Sequence, residues 1–396
     1  MPIIPWVQAL IVGLFFSALC FAATTQKVLE RTLFEATEEH FRYSEGSLLN
    51  LDRKHELLMV VSVFGKGGHD NTPARLLAWR SHDGGLTWEE DEPHVFQENI
   101  GKETVLIPSF LRLSKKEVLF FFAVTNSLHD AGMWVRRSSD NGKTWGKPDR
   151  LPYDGYGSSS NDHAVLLKSG RIVLPCFVSR DELASSYAYC FYSDDRGHTW
   201  KKSNEITVKL PSKGRKTSPA AEEPAVVELR DGRLLMLMRT YVGWFYKSYS
   251  ADRGASWSVP VNSGIPAPGA MPTLVRIPKT GDLLLLFNCG ELHENDGAFP
   301  RNRMASALSQ DEGKNFSSIR ILDGSPEFQG KMTMANVTFI GDRTLVFYSK
   351  SPTKKNFYSW MQQVMPVQWF YEGDRSKIFG EKYFKQMLKG NPGESH

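Results

Sequence analysis

Five copies of one octapeptide restrict what this chain can fold into more than any other feature. The first reads Ser81-His-Asp83-Gly-Gly85-Leu-Thr87-Trp88, and further copies begin at Ser138, Ser193, Ser250 and, with Phe316 in place of the Trp, Ser309. Successive starts lie 55 to 59 residues apart. Near-constant spacing on that scale marks a propeller, solenoid or array. The Asp carboxylate can accept backbone N–H groups and close a turn. The Gly supplies positive φ, and the aromatic anchors the loop. The boxes read as structural corners, one per repeat, rather than as substrate contacts.

Between boxes the pattern repeats. An apolar run comes first, as in Leu57–Phe64, Val118–Val124, Arg171–Val178, Leu234–Arg239, Leu283–Asn288 and Thr344–Ser349. Val, Phe, Leu and Tyr dominate these runs, as in strands packed on both faces. Six runs and almost no amphipathic helix predict an all-β fold, a six-bladed β-propeller over residues 23–375. The last blade would close by pairing Lys27–Leu33 with Phe357–Trp369, which removes exposed sheet edges. Residues 376–396 read as a short helix and a tail.

The chain has 396 residues with 41% hydrophobic and 23% charged side chains, and a formal charge of +4. So small a charge makes no case for nucleic acid, and the basic stretch Lys209 to Lys216 reads as a solvated loop. Residues 1–22 have the apolar core and small-residue end of a secretory signal, although no Lys or Arg precedes the core. The core is too short for a membrane span, so an exported chain with no membrane span is expected. Cys176 and Cys190 fall on adjacent strands where a bridge is open. With Cys289 making an odd count, buried thiols are favoured. No metal-ligand spacing stands out, Glu291–Asp296 reads as an exposed loop, and no cofactor is expected.

In a propeller the innermost strands converge on a central pocket. Polar residues interrupting those strands are therefore the ones to collect: Glu45, Asp70, Asn161, Asp162, His163, Glu222, Glu223, Arg239, Arg301 and Arg303. Two carboxyl groups can supply acid and base, or acid and nucleophile, for glycoside cleavage. Arginine forks suit a substrate carboxylate.

The five boxes, together with Tyr43-Ser-Glu45-Gly-Ser47, Asn161-Asp162, Glu222-Glu223-Pro224 and Arg239-Thr240, resemble the BNR, or Asp-box, branch of the sialidase (neuraminidase) superfamily. The resemblance spans roughly residues 40 to 370. It implies an exo-acting glycosidase with three arginines on a substrate carboxylate, an Asp acid/base, and a Tyr nucleophile activated by a Glu. On this chain it implies Asp70 as the acid, Glu223 or Glu45 as the second carboxylate, and Arg239 with Arg301 or Arg303 on the anion. Asp162, His163 and Glu222 would line the site. Burial would raise the Asp70 pKa. Two positions depart from the pattern. The first arginine motif reads Glu45-Gly-Ser, with Arg42 three residues upstream, and Met334 stands where the Tyr is expected. That leaves Tyr43, Tyr241 and Tyr348 as candidate nucleophiles, and leaves open a non-catalytic carbohydrate-binding propeller or a lyase on the same framework.

Overall fold

The computed structural model describes residues 29–373, except 52–54, 90–92, 153–154, 161, 181–184, 210–218, 290–299 and 354–356. The signal-like segment, the basic loop, Asn161, Glu291–Asp296 and the tail lie outside the described residues. Strands dominate, and a short 3-10 helix, Val367–Glu372, follows the last of them.

Antiparallel sets succeed one another along the chain. The first is Arg42–Asn50, Leu57–Phe64, Ala74–Ser81 and His94–Gln97. A second begins at Thr104–Arg112, a third at Tyr156–Ser158, a fourth at Glu222–Glu228 and a fifth at Thr273–Arg276. A single parallel pairing, Tyr156 with Ala131, merges the second and third sets into one nine-stranded sheet. In the last set Lys331–Ile340, Arg343–Ser351 and Ser359–Pro366 are joined by Leu29–Phe34, with Leu29 opposite Val364. The expected pairing of the two chain ends is present over the described residues. None of the described sheets closes on itself.

The second strand of each set is the apolar run read from the sequence. Leu57–Phe64 and Leu283–Asn288 are buried along their whole length. Each fills the space between its own set and its neighbours. One cluster joins Leu58 and Val60 to Phe120 and Phe122, and another joins Leu235 and Phe245 to Leu285 and Phe287. A further cluster packs Leu345 and Phe347 of the last set on Leu57 and Trp79 of the first, so the packing returns to its start. Full burial of one such side chain stabilises the fold by about 1.5–3 kcal/mol.

Each box is a compact hydrogen-bonded corner. In the first, Asp83 Oδ1 accepts the N–H groups of Leu86 and Thr87, both at 2.9 Å, while Thr87 Oγ1 donates to Oδ2 at 2.6 Å. Ser81 Oγ accepts from the Gly85 N–H at 2.8 Å. The glycine has a second role that its φ of +84° alone does not reveal. A Cβ on Gly85 would lie 2.4 Å from Leu345 Cδ1 on the preceding set. Gly313 likewise abuts Leu235 of the set before it. The box is thus the point at which one set docks on another. Where a sixth box would follow Ser359–Pro366, the helical turn Val367–Glu372 packs instead on Ile277 and Leu284 of the fifth set.

The hydrogen bonds hold the Asp83 carboxyl down to about 2, against the desolvation that would raise it. A carboxyl depressed in the fold contributes stability above its unfolded pKa and loses it as pH falls through the folded value. Asp83→Asn is therefore expected to lower the thermal midpoint at pH 5, with the gap from wild type narrowing toward pH 2. A pH-independent gap in calorimetric melts would contradict this account.

Among the described residues Cys176, Cys190 and Cys289 are buried and none forms a disulfide. Cys176 pairs with Tyr189, and Pro175 with Cys190, so the two thiols sit one step out of register and form no bridge.

Candidate active site

Strand direction alternates through each set, so the starts of the first strands and the boxes fall at opposite ends of the sheets. The starts carry an unusual backbone. Glu45, Ile107, Glu223 and Met334 have φ of 42°, 61°, 44° and 55°, each inside a register shift of its strand. Asp162, just ahead of Val165–Leu166, has φ 53°. Left-handed backbone at non-glycine residues is costly and tends to persist where function needs a side chain re-aimed. Hydrogen bonds stitch these starts together. Asn336 Nδ2 donates to Gly46 O at 2.5 Å, Ser47 Oγ to Asp162 Oδ1 at 2.7 Å, and Thr273 Oγ1 to Ala335 O at 2.6 Å.

Two carboxylate–guanidinium groups stand at this end. Arg42 is buried, with its guanidinium 4.5 Å over the Phe64 ring. Its Nη2 reaches Glu45 Oε1 at 2.8 Å, and its Nη1 reaches Asp70 Oδ1 at 2.5 Å. The Glu45 side chain is 2% exposed, whereas that of Asp70 is 73% exposed. In the second group Arg239 Nη1 lies 2.7 Å from Glu223 Oε2 and 3.7 Å from Glu222 Oε2. Arg239 Nη2 donates to the Tyr241 hydroxyl at 2.7 Å, and that hydroxyl donates to Glu222 Oε2 at 2.8 Å. Glu222 and Arg239 face each other across the hairpin, which is why one strand pair delivers the whole cluster.

Electrostatics ties the two groups together. Desolvation pushes Asp70 up, but Arg42 outweighs it with a charge and a hydrogen bond, and Arg239 and Arg301 add to the effect. The Asp70 carboxyl therefore lies below the usual aspartate value, opposite to the direction expected from burial alone. Glu45 moves the other way, raised first by desolvation, with Arg42 opposing and Asp70 reinforcing. Two carboxyls on one arginine are driven apart. Burial, then the Arg239 charge, pulls Arg301 down to about 10, which leaves it cationic at neutral pH. Arg301 is held by Thr333 Oγ1 at 3.4 Å and by Gly269 O.

Of the two arginines that precede the fifth box, Arg301 is the one at the site. The charge of Arg303 acts on Glu327. His163 lies behind Glu223: its Nδ1 lies 3.1 Å from Pro224 O, and burial pushes it down to about 4, so it is neutral at pH 7. Asp162 points to Ser47 and is pushed up to about 7 by burial. Tyr43 meets His40, and Tyr348 is wholly buried, donating to Asp323 at 2.6 Å; neither phenol joins the arginines. Two tyrosines absent from the sequence reading stand nearer: Tyr358 beside the arginines, and Tyr156 beside the carboxylates. Tyr358, bridged to Arg42 by backbone, feels Arg301, Arg42 and Asp70. Tyr156, pushed up to about 12 by burial, feels Asp70 and Glu222. Both sit in ordinary strand sequence. Among the described residues no group of His, Cys, Asp and Glu is arranged to hold a metal ion.

Residues 58–364 match the model of the BNR repeat-like domain. The chain belongs to this family, within the sialidase superfamily. It is 24% identical over 280 residues to a sialidase of Paraclostridium sordellii, covering 62% of this chain and 65% of that protein. To a sialidase of Micromonospora viridifaciens it is 26% identical over 240 residues, 52% of this chain and 34% of the relative. The chain thus spans less than two thirds of these relatives. Among solved structures, a protein of unknown function from Dyadobacter fermentans superposes with a TM-score of 0.67 at 17% identity, covering 85% of this chain and 99% of that one. Trypanosoma rangeli sialidase in complex with sialic acid gives 0.65 at 16% identity, covering 85% and 58%. These likenesses establish a sialidase-like all-β fold.

Proposed function

We propose that this is a six-bladed propeller glycosidase, exported, that removes a terminal acidic sugar. The observation that carries the reading is the ion pair of Arg42 with the exposed Asp70 carboxylate, with Arg239 and Arg301 near enough for their charges to pull the same carboxyl further down. Three guanidiniums around one solvent-facing acid make a receptor for a second carboxylate, that of the substrate. The sugar of the Trypanosoma rangeli complex, sialic acid, is the first acidic sugar to test.

Asp70 is the group placed to protonate the leaving oxygen. Substrate carboxylate on the arginines would relieve Asp70 of their pull and add a like charge, both of which raise its pKa. Tyr241 takes the nucleophile's role that Met334 cannot fill. Its O–H proton passes to Glu222 Oε2 as the phenolic oxygen bonds the anomeric carbon, and Arg239 stabilises the developing phenolate. The glycosidic C–O bond breaks, with the Asp70 proton going to the departing alcohol. Water then attacks the glycosyl–tyrosine, giving its proton back to Asp70 as the phenol is regenerated from Glu222.

A hydrolysis screen of residues 23–396 on α-sialosides, uronides and neutral glycosides tests this. Release of an acidic sugar by wild type and its loss by 10²–10⁴-fold, in order of magnitude, in Asp70→Asn is expected. Cleavage of neutral glycosides alone would overturn the acidic-sugar assignment. No cleavage with glycan binding retained would make the protein a binding propeller. Because Asp70 is depressed in the free protein, kcat/KM should climb as pH falls from 7 toward 4, and kcat should climb less. A kcat/KM that rose with pH would remove Asp70 as the acid.

A further inference from the structure

A second concavity lies at the opposite end of the sheets from the arginine cluster, where the second set meets the third. It measures about 620 Å³, against about 340 Å³ for the cavity beside His163. The end of Asp130–Ser138, the stretch after the second box and the third box itself form its walls. Leu119, Val135 and Leu151, themselves buried, back an apolar floor whose open surface is the half-buried Trp200 at its edge. Around that floor stand Arg136, Arg137, Lys147 and Arg150, with Asp149 as the one acid of the lining.

These cations are not equivalent. Arg137 is matched by Glu117, and Arg150 by Asp130 at 2.7 Å. Arg136 is held by neutral oxygens, Gly146 O at 2.9 Å, Phe96 O at 3.1 Å and Gln97 Oε1 at 3.2 Å. Its position is therefore fixed, and among the described residues no carboxylate pairs with its charge. Lys147 projects from the exposed strip beside it. A rigid guanidinium and a mobile ammonium over an apolar, Trp-edged floor suit a ligand with flat apolar faces and peripheral anions.

We propose that this groove is a second binding site, for an acidic oligosaccharide, separate from the catalytic end. The choice of a saccharide rests on the glycosidase reading; the charge and the floor are independent of it. Sugar C–H faces lie on the floor, and carboxylate or sulfate groups meet Arg136 and Lys147. Because boxes and strand starts lie at opposite ends, a chain held here leaves the catalytic pocket open to another terminus. The site would keep the protein on an acidic glycan surface between cleavage events.

The test uses the full chain carrying Asp70→Asn, so that cleavage does not deplete the ligand. Calorimetric titrations compare tetragalacturonate, a heparin-derived tetrasaccharide and maltotetraose. Lys147→Glu is expected to abolish one equivalent of acidic-saccharide binding, or to weaken it by roughly tenfold or more, with an unchanged thermal midpoint. Preference for the uronate or the sulfated ligand identifies the anion. Undiminished binding in Lys147→Glu, equal binding of maltotetraose, or no binding at 50 mM salt would each overturn the groove. The catalytic reading fails separately: hydrolysis of a small aryl glycoside should be equal in wild type and Lys147→Glu, and its absence in wild type says nothing against binding here.

Discussion

Tyr241→Phe is expected to lower kcat on the cleaved glycoside by on the order of 10³-fold or more, with KM changed far less. The hydroxyl it removes is fixed by two charged partners, Glu222 Oε2 at 2.8 Å and Arg239 Nη2 at 2.7 Å. Burial raises its pKa, so attack requires a base in contact and a cation to receive the phenolate charge. Both are present, and among the described residues no other phenol beside the arginine cluster has a carboxylate accepting its proton. Tyr358→Phe is the informative companion, since Tyr358 feels Arg301, Arg42 and Asp70. It should retain most of kcat. If Tyr358→Phe were the dead variant and Tyr241→Phe active, the nucleophile would move to the closing strand. A trapped 2-fluoro glycosyl adduct, located by peptide mass mapping, would distinguish the two directly. Loss of folding is controlled by the melt, because Tyr241 lies at a strand end and its ring stacks under Arg239 at 4.9 Å.

What the sequence disclosed and what it withheld follow the range of the interactions. The boxes are closed by bonds between residues two to four apart, so Ser81, Asp83 and Thr87 announce themselves in order. Their docking on Leu345 or Leu235 of the preceding set is invisible along the chain, although it explains why the glycine is needed twice over. Glu222, Glu223 and Arg239 were legible because one hairpin register places them opposite each other. Arg42 stood out beside the altered arginine motif, but its partner did not, because its meeting with Asp70 depends on how the loop after Phe64 folds back over the strand start. That contact also reversed the expected direction of the Asp70 pKa: the carboxylate faces solvent at the mouth of the site, and the guanidinium at 2.5 Å outweighs the desolvation it does suffer. Tyr358 reaches Arg42 only when the two ends of the chain pair. Left-handed backbone at Glu45, Glu223 and Met334 marks equivalent places in three sets, and nothing in residue type predicts that conformation. Met334, where the resemblance implies a Tyr, shares this left-handed backbone.

Arg239→Met is expected to cost about 3–5 kcal/mol of stability, the usual effect of removing one partner from a buried ion pair. Arg239 and the two carboxylates it serves have side chains only 12% and 13% exposed, so solvent does little to replace it. The methionine fills much of the volume and neutralises nothing. Glu222 and Glu223 would then confront each other without a cation, and Tyr241 would lose the donor that positions it. Glu223→Gln alone should cost less, because Arg239 keeps Glu222 and the Tyr241 hydroxyl. The double variant Arg239→Met/Glu223→Gln should recover part of the single Arg239→Met loss, since one of the two stranded charges is gone. Chemical denaturation of the four proteins gives the coupling energy, provided the m-values agree. A double variant no more stable than Arg239→Met would mean that Glu222, not Glu223, carries the charge that Arg239 compensates. Stability nearly equal to wild type in Arg239→Met would mean that the carboxylates already share a proton in the fold, and the arginine trio would no longer account for the depressed Asp70.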